Sequence, residues 1–528
     1  MCDQLKATAL GLYGNPVLRT PSIERLAAAG VLYERAFTPH PLCVPARAAM
    51  WTGRYPHSTG CRTNQTLLPP RDSVRHMARV WWEAGYRTGV IGKNHCFVGE
   101  DERRFGVIAD GWGQRPGVSP APEVAAARAA RPEHRFRDPA DSWVAPYKAE
   151  HSGTWQIADR TVEFLEARAA EGAAGDPWGL WVSFPDPHAP YQAPEPYASH
   201  FPPSGVTLPP WRPNELADKP QRQRVFAGLM GLQDAPEEDV RRVIAVYYAM
   251  IAQIDDALGA ILDALERLGQ RERTIVVFTA DHGDFVGEHC LMGKGGMLYD
   301  ALVRVPLIVS WPGRVPQGTR VPSVSSLVDV APTLLWLQGL EVPRDVQGQP
   351  LTGIPWSDFG PVRLEPAAAY AERAIPATGA FQARQRPPGT GGDGVSTPVP
   401  PWAQPGVIPA PRRAVFAEYG AGGPPVTPQR VAESPPHAAR TRIHTLLLER
   451  EAEGRPKMVR TENWKYVHDP LDPDGLEELY ALETDPHELV NLASSTDLAH
   501  RTARAELRDL LLEWSLATED HVPVPFAF

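Results

Sequence analysis

Cysteine is scarce in this chain: five residues in 528, at positions 2, 43, 61, 96 and 290. Their number is odd, their spacing is wide and no C-x-x-C pair occurs, which argues against a disulfide framework and a cysteine-rich zinc site. Long apolar runs are missing as well; none approaches the ~18 residues of a membrane span. Positive charge is not in excess. With a formal net charge of −10, no global basic field invites nucleic acid, and an anionic ligand needs a local cationic pocket. Internal repeats are absent. No signal peptide precedes the first motif, so the expected location is the cytoplasm.

What is present is the composition of a globular protein, 43% hydrophobic and 22% charged, at a length that suits one large domain and a smaller one. Thr20 is placed to cap a helix that begins at Pro21 and ends at Gly30. Asp72 opens another, with Val74, Met77, Ala78 and Trp81 on its apolar face and Gly85 as its stop. A strand over 86–91 then runs into Gly92-Lys93-Asn94-His95. Residues 178–184 read as a buried strand that ends in Pro185-Asp186-Pro187-His188. Asp234 and Glu237 form a capping-box-like start to a long helix that Gly269 closes. A strand over 274–280 delivers Asp281 and His282, and a strand over 305–311 and a helix over 329–338 follow. This alternation predicts a parallel α/β sheet, in which ligands collect at the carboxyl ends of strands.

Residues 384–412 are dominated by proline and glycine and read as a mobile insertion. A strand over 414–419 is expected to rejoin the sheet. Short antiparallel strands at 458–461, 464–468 and 479–482, with a helix over 498–515, predict a small C-terminal α+β subdomain. The expected division is 1–435 and 436–528.

The chemistry centres on CVPARAAMWTGR, residues 43–54. Pro45 suits a first helical position and Gly53 a helix stop. Cys43 then sits beside a helix N-terminus, where free N–H groups and the dipole favour an anion. Arg47 lies one turn on and can reach back toward the same point. A buried core thiol is the ordinary alternative for Cys43. Asp3 and Gln4 offer two oxygen ligands to a hard cation. Asp281 and His282 add a carboxylate and an imidazole at a strand end, completing a mixed N/O set for one divalent ion. Taken singly, Asp3 reads as a solvated terminal residue, Lys93 and His95 as surface residues and His188 as part of a turn. Asp255 and Asp256 point about 100° apart on their helix and read as structural.

Taken together these stretches resemble the type I sulfatases of the alkaline phosphatase superfamily. Residues 43–54 are similar to that family's C-x-P-x-R…T-G-R signature, with Trp51 in place of the usual leucine. GYRTGVIGKNH is similar to its G-K-x-H, Pro187-His188-Ala189-Pro190 to its P-H-x-P, and ADHGD, followed by Lys294, to its second metal and sulfate-binding stretch. The tail wording VRTENWKYV resembles the small C-terminal subdomain of bacterial members.

The resemblance implies an alkaline-phosphatase-like fold with a central, mostly parallel sheet. It implies that Cys43 is oxidised to formylglycine by a formylglycine-generating enzyme. Asp3, Gln4, Asp281 and His282 would hold one metal ion, with residue 43 beside it; calcium is usual, and the histidine ligand would suit manganese. Lys93, Lys294, His95 and Arg47 would balance charge on the sulfuryl group and the nucleophile, and His188 or His95 would protonate the departing alcohol. The expected substrate is a small-molecule sulfate ester. The alternatives are a phosphonate monoester or phosphodiester hydrolase of the same superfamily, and a non-catalytic binder of sulfated ligands. A homo-oligomer is possible on this reading, and no nucleic acid or membrane partner is expected.

In this fold the metal aspartate follows a central strand, and such strands are continuous apolar runs. Only Met1 and Cys2 stand before Asp3. The expectation is therefore a start further upstream, supplying Ile, Leu and Val.

Overall fold

The computed structural model describes residues 1–68, 74–109, 142–172, 175–367, 399–404, 407–424, 426–427 and 449–519, with isolated positions between. In chain order its main elements are α1 (Pro21–Ala28), β1 (Val31–Phe37), α2 (Cys43–Thr52), α3 (Met77–Glu83), β2 (Arg87–Gly92) and β3 (Val107–Ala109). Then come α4 (Gly153–Ala170), β4 (Trp178–Ser183), α5 (Glu237–Arg267), β5 (Val276–Thr279), β6 (Leu307–Ser310), β7 (Thr319–Ser326) and α6 (Val330–Leu337). The carboxyl-terminal part holds β8 (Val415–Glu418), β9 (Lys457–Arg460), β10 (Trp464–His468), β11 (Glu478–Ala481) and α7 (Leu498–Glu519).

The central sheet runs β3, β2, β4, then the Met1–Cys2 segment, then β5, β6, β1 and β7. All neighbours are parallel except at β6, which runs against β5 and β1. Parallel strands are covered on both faces, and β6, Leu-Ile-Val-Ser, is buried at every position. Helices α1, α4 and α5 pack together, as do α2, α3 and α6, and the two groups flank the sheet. Strands β8 to β11 form a separate four-stranded antiparallel sheet, against which α7 packs. The stretch over 414–419 therefore edges this second sheet and does not rejoin the first. Its partner is β9 through four residue pairs, and its apolar positions, Val415 and Ala417, belong to the core under the C-terminal sheet.

Cys2 bridges the two halves of the central sheet. Its N–H donates to Thr279 O (2.9 Å), Asp281 N–H donates back to Cys2 O (3.2 Å), and Asp3 N–H donates to Phe184 O (3.0 Å). The Met1 ammonium reaches Val182 O at 2.9 Å. Met1 and residues of β4 and β5 help to line a cavity of about 780 Å³. Trp51, Trp81, Trp181, Leu258, Val277 and Leu334 are among the side chains lining it. Trp51 is buried there, edge-on to Trp81, Phe97 and Trp181 at 5.2–5.5 Å.

Several local expectations are corrected. Thr20 precedes α1 but makes no cap; Asp255 does so from α5, accepting from Ser22 N and Ile23 N at 3.0 and 2.8 Å. A carboxylate held by a long buried helix is a fixed acceptor, whereas Thr20 Oγ1 is buried without a partner. Helix α5 starts on Pro236 with no side-chain cap, so the Asp234–Glu237 box does not form. Within α5 an 18-residue window is apolar enough to cross a membrane by composition, with a mean hydropathy of 1.3, yet 78% of it is buried in the protein. Helix α2 begins at Cys43 itself, two residues before Pro45, and ends where Gly53 turns left-handed (φ 67°) and donates to Ala49 O. Of the Pro/Gly-rich stretch, residues 384–398 lie outside the described residues. Beyond them Trp402 is buried and donates to Gly348 O, and Arg412 pairs with Asp329, so this part is anchored. Asp72 and the 435/436 boundary lie outside the described residues.

Candidate active site

The carboxyl ends of β2 and β4, the Met1–Cys2 segment and β5 deliver Lys93, Ser183, Asp3 and Asp281 to one place. The start of α2 faces them with Cys43 and Arg47. Gln4 follows in a left-handed conformation (φ 65°), fixed by its N–H on Asp281 Oδ1 (3.1 Å) and by Tyr247, whose hydroxyl donates to Gln4 O (2.7 Å). Asp3, Gln4, Arg47, Asp281 and His282 have no exposed surface, and Cys43 is 1% exposed.

Four polar groups converge on the Cys43 sulfur. Lys294 Nζ lies 2.8 Å from Sγ, His282 Nε2 3.3 Å, Asp3 Oδ1 3.6 Å and Lys93 Nζ 3.7 Å. Lys93 also pairs with Asp3, and Lys294 lies 3.1 Å from His282 Nε2. Arg47 is turned to the carboxylates. Its Nε donates to Asp281 (2.9 Å), its Nη2 to Asp3 (3.0 Å), and its Nη1 to Ser183 Oγ and Lys93 O (2.8 Å each). Such a fork fixes two carboxylates in one geometry.

The charges explain the protonation states. Burial by itself would raise the Asp3 carboxyl, but Lys93, His188, Lys294 and Arg47 hold it well below the usual range. Burial and Asp3 both push the Cys43 thiol up; Lys294, Lys93 and His282 outweigh them and leave it far more acidic than a free thiol. A low-pKa thiol near a helix N-terminus and two ammonium groups is a reactive one. His188 takes part at least electrostatically, through its effect on Asp3. His95 lies on the loop after β2 with a positive φ of 44° and a buried Nδ1 that has no partner.

Several residues around the site gave no signal in the sequence. Ser183 lies within the apolar run that reads as a buried strand over 178–184 and is the last residue of β4. Asn64 accepts from Val44 N at 3.1 Å, capping the first free N–H after Cys43; nothing in the wording TNQT marks it. Asp186 is pushed up to about 6 by burial, against the pull of its Thr154 hydrogen bond. Asp284, Glu288 and His289 are held in structural pairs with Tyr191, Lys6 and Glu215.

Asp3, Cys43, Asp281 and His282 place one candidate ligand atom each within 4.8 Å of one another. Beside them both amide atoms of Gln4 are buried without a hydrogen-bond partner, a costly state unless something is bound. Oxygen donors with one imidazole fit a hard or borderline divalent cation. The set fits a metal.

The family model described as Sulfatase matches residues 1–340. The chain is 32% identical to an uncharacterized sulfatase, YidJ, of Escherichia coli (strain K12) over 372 residues, 67% of this chain and 70% of that one. It is 28% identical to a choline-sulfatase of Rhizobium meliloti (strain 1021) over 536 residues, 96% of this chain and 85% of that one. The fold matches the crystal structure of a phosphonate monoester hydrolase of Agrobacterium radiobacter with a TM-score of 0.66 and 24% identity, over 99% of this chain and 95% of that one.

Proposed function

The chain belongs to the sulfatase family of sulfuric ester hydrolases, and on that premise we propose that it hydrolyses a sulfate monoester of a small alcohol through a formylglycine at position 43. The observation that supports this most is the convergence of Lys294, His282, Lys93 and Asp3 on the Cys43 sulfur. In the matured enzyme that sulfur stands for a hydroxyl oxygen on the same Cβ, one of the two of a hydrated aldehyde.

Asp3, Gln4, Asp281 and His282 would hold a divalent cation, calcium or manganese. When bound, such an ion supplies Lewis acidity that ionises a neighbouring hydroxyl and polarises an ester oxygen. The chain's own groups do the rest. Arg47 keeps Asp3 and Asp281 in place. Lys294 and Lys93 offset the negative charge on the attacking oxygen and on the sulfuryl oxygens. A hydrate oxygen attacks sulfur, the bond from sulfur to the alcohol oxygen breaks, and His188 or His95 donates the proton that the alcohol takes away. The second hydroxyl then loses its proton, the Cβ–O bond to sulfate breaks, and sulfate leaves an aldehyde that water hydrates again. A cysteine or serine at position 43 lacks the second hydroxyl and stops at the sulfated state.

The test has two parts. Peptide mass spectrometry over residue 43, on protein made with and without a formylglycine-generating enzyme, is expected to show the aldehyde and its hydrate only in the first case. Activity is expected to follow the aldehyde. Full activity of protein that retains an unmodified Cys43 overturns the reading. An aryl sulfate assayed beside an aryl phosphonate monoester and a phosphodiester decides between sulfuryl and phosphoryl transfer, and binding of the aryl sulfate without turnover would indicate a binder.

A further inference from the structure

One wall of the site comes from the carboxyl-terminal half of the chain. Tyr419, directly after β8, stacks on His40 at 5.5 Å and donates its hydroxyl proton to Arg450 O at 2.9 Å. Arg450 is 1% exposed. Its guanidinium donates to Arg222 O (2.8 Å) and Glu453 (3.0 Å) and lies over the Phe226 ring. It also packs so closely on Gly296, two residues after Lys294, that a Cβ there would stand 2.8 Å from Arg450 Nη2. The backbone at 450 is thereby fixed against the loop that carries Lys294.

The next residue is Glu451. Its carboxylate accepts from Asn64 N (3.1 Å) and Asn64 Nδ2 (3.0 Å), while Asn64 Oδ1 accepts from Val44 N (3.1 Å). Glu451 is thus two hydrogen bonds from the nucleophile's own helix, and it is within electrostatic reach of Lys294 and Cys43. It is only partly buried, and among the described residues it has no basic partner. Arg62, on the same loop as Asn64, acts instead on His40 and Glu418. Among the described residues no cation lies within ion-pair distance of this carboxylate, and Lys294 acts on it only from further off; a carboxylate held so is expensive for the fold, and nothing in the sulfuryl chemistry uses it. The site as a whole is a dipole. Lys93 and Lys294 gather at the Cys43 sulfur, and Glu451 adds to one flank a carboxylate that has hydrogen bonds from Asn64 but, among the described residues, no ion pair.

We propose that Glu451 is a specificity-determining residue whose carboxylate receives a positively charged group on the alcohol portion of the ester, so that the enzyme selects sulfate esters of amino alcohols. This rests on the sulfate-ester reading of the site. Asn64 positions the carboxylate, and the substrate's ammonium replaces the missing counter-charge. Charge complementarity of this kind discriminates between partners of equal size, because the neutral one leaves the carboxylate unpaired.

The experiment uses the full-length, formylglycine-bearing enzyme and a series of ω-aminoalkyl sulfates of two to six carbons. Each is paired with the alkyl sulfate in which a methyl group replaces the ammonium, and 4-nitrophenyl sulfate serves as a reference. The wild type is expected to show a kcat/KM about tenfold or more higher for the amino ester at the best chain length. Glu451→Gln retains an oxygen to accept from Asn64 and loses the charge. It is expected to bring the ratio of kcat/KM between each amino ester and its alkyl partner close to one, whatever common change of rate the lost charge imposes on both. Equal losses on charged and neutral esters would assign Glu451 a structural role and overturn the proposal, as would a wild-type ratio near one. Should E451Q fail to fold, that wild-type ratio decides alone. Turnover of 4-nitrophenyl sulfate without a preference removes the proposal and leaves the sulfatase reading intact. If only phenylphosphonate monoesters are hydrolysed, the sulfatase reading falls and the proposal with it; if no ester is turned over, calorimetric binding of the aminoalkyl and alkyl sulfates gives the ratio.

Discussion

Replacing Arg47 by lysine retains the positive charge and removes the fork. In the structure three guanidinium nitrogens serve four acceptors, Asp281, Asp3, Ser183 and the Lys93 carbonyl, at 2.8–3.0 Å. A lysine ends in a single ammonium that cannot span the fork, and two of the four acceptors are expected to lose their donor. A hydrogen bond to a charged group contributes about 1.5–3 kcal/mol, and water cannot replace it because Asp3, Asp281 and Arg47 have no exposed surface. The expected loss is about 3–6 kcal/mol, a large part of the ~5–15 kcal/mol that holds a domain together. The assay is urea unfolding in the presence of a chelator, so that a bound ion contributes nothing, followed by tryptophan fluorescence and circular dichroism. A double-mutant cycle adds specificity. Arg47→Met and Asp281→Asn are each expected to destabilise, and the double variant to lose clearly less than the sum. An R47K protein within 1 kcal/mol of wild type, or strict additivity in the cycle, would refute the claim that Arg47 braces the two carboxylates.

Lys294→Ala removes the ammonium nearest to the Cys43 sulfur and is expected to lower kcat/KM about a hundredfold, or roughly 3 kcal/mol; a loss below tenfold means the lysine is misassigned. Glu418, which accepts from His57 N and Nδ1 at 2.8 Å, is pulled down to about 2 by His57, Lys457 and Arg62 against the effect of burial. A depressed carboxyl stabilises the fold above its unfolded value of 4.5 and loses that contribution as pH falls toward 2, about 3 kcal/mol in all. Acid titration of stability should therefore fall less steeply for Glu418→Gln over that window, and parallel curves for the two proteins would contradict this.

The sequence made the strand ends legible because an apolar run that stops abruptly at Asp281 or Gly92 fixes where a parallel sheet presents its ligands. The long helix over 237–267 was equally plain from its 3.6-residue stripe. Strand β1 was not seen, since Val-Leu-Tyr-Glu-Arg-Ala-Phe has no clean alternation and its placement depends on β6 and β7, nearly 300 residues away. The sheet that receives 414–419 was misread for a related reason: four residues of strand pattern do not say which edge they meet. The site divides in the same way. Asp3, Lys93, His282 and Lys294 stand in recognisable wording and come together on the Cys43 sulfur, whereas Ser183, Asn64 and Glu451 take their places from tertiary contacts that leave no local trace. Arg47 was read as balancing charge on the sulfuryl group and the nucleophile; in the structure its fork spans the two aspartates.

The burial of Cys43 also sets a timetable. Its sulfur is enclosed by groups from residue 3 and from residues 282 and 294, and Lys294 leaves the ribosome about 250 residues after Cys43. At ~5–20 residues per second of synthesis, that interval lasts roughly 13–50 s. Within it the thiol lacks its enclosure, and any enzyme that modifies position 43 meets an open substrate. Once β5 and the lysine loop dock, the same residue is sealed. The order of events on the nascent chain, and not the affinity of a modifying enzyme for the finished fold, would then fix what fraction of molecules matures.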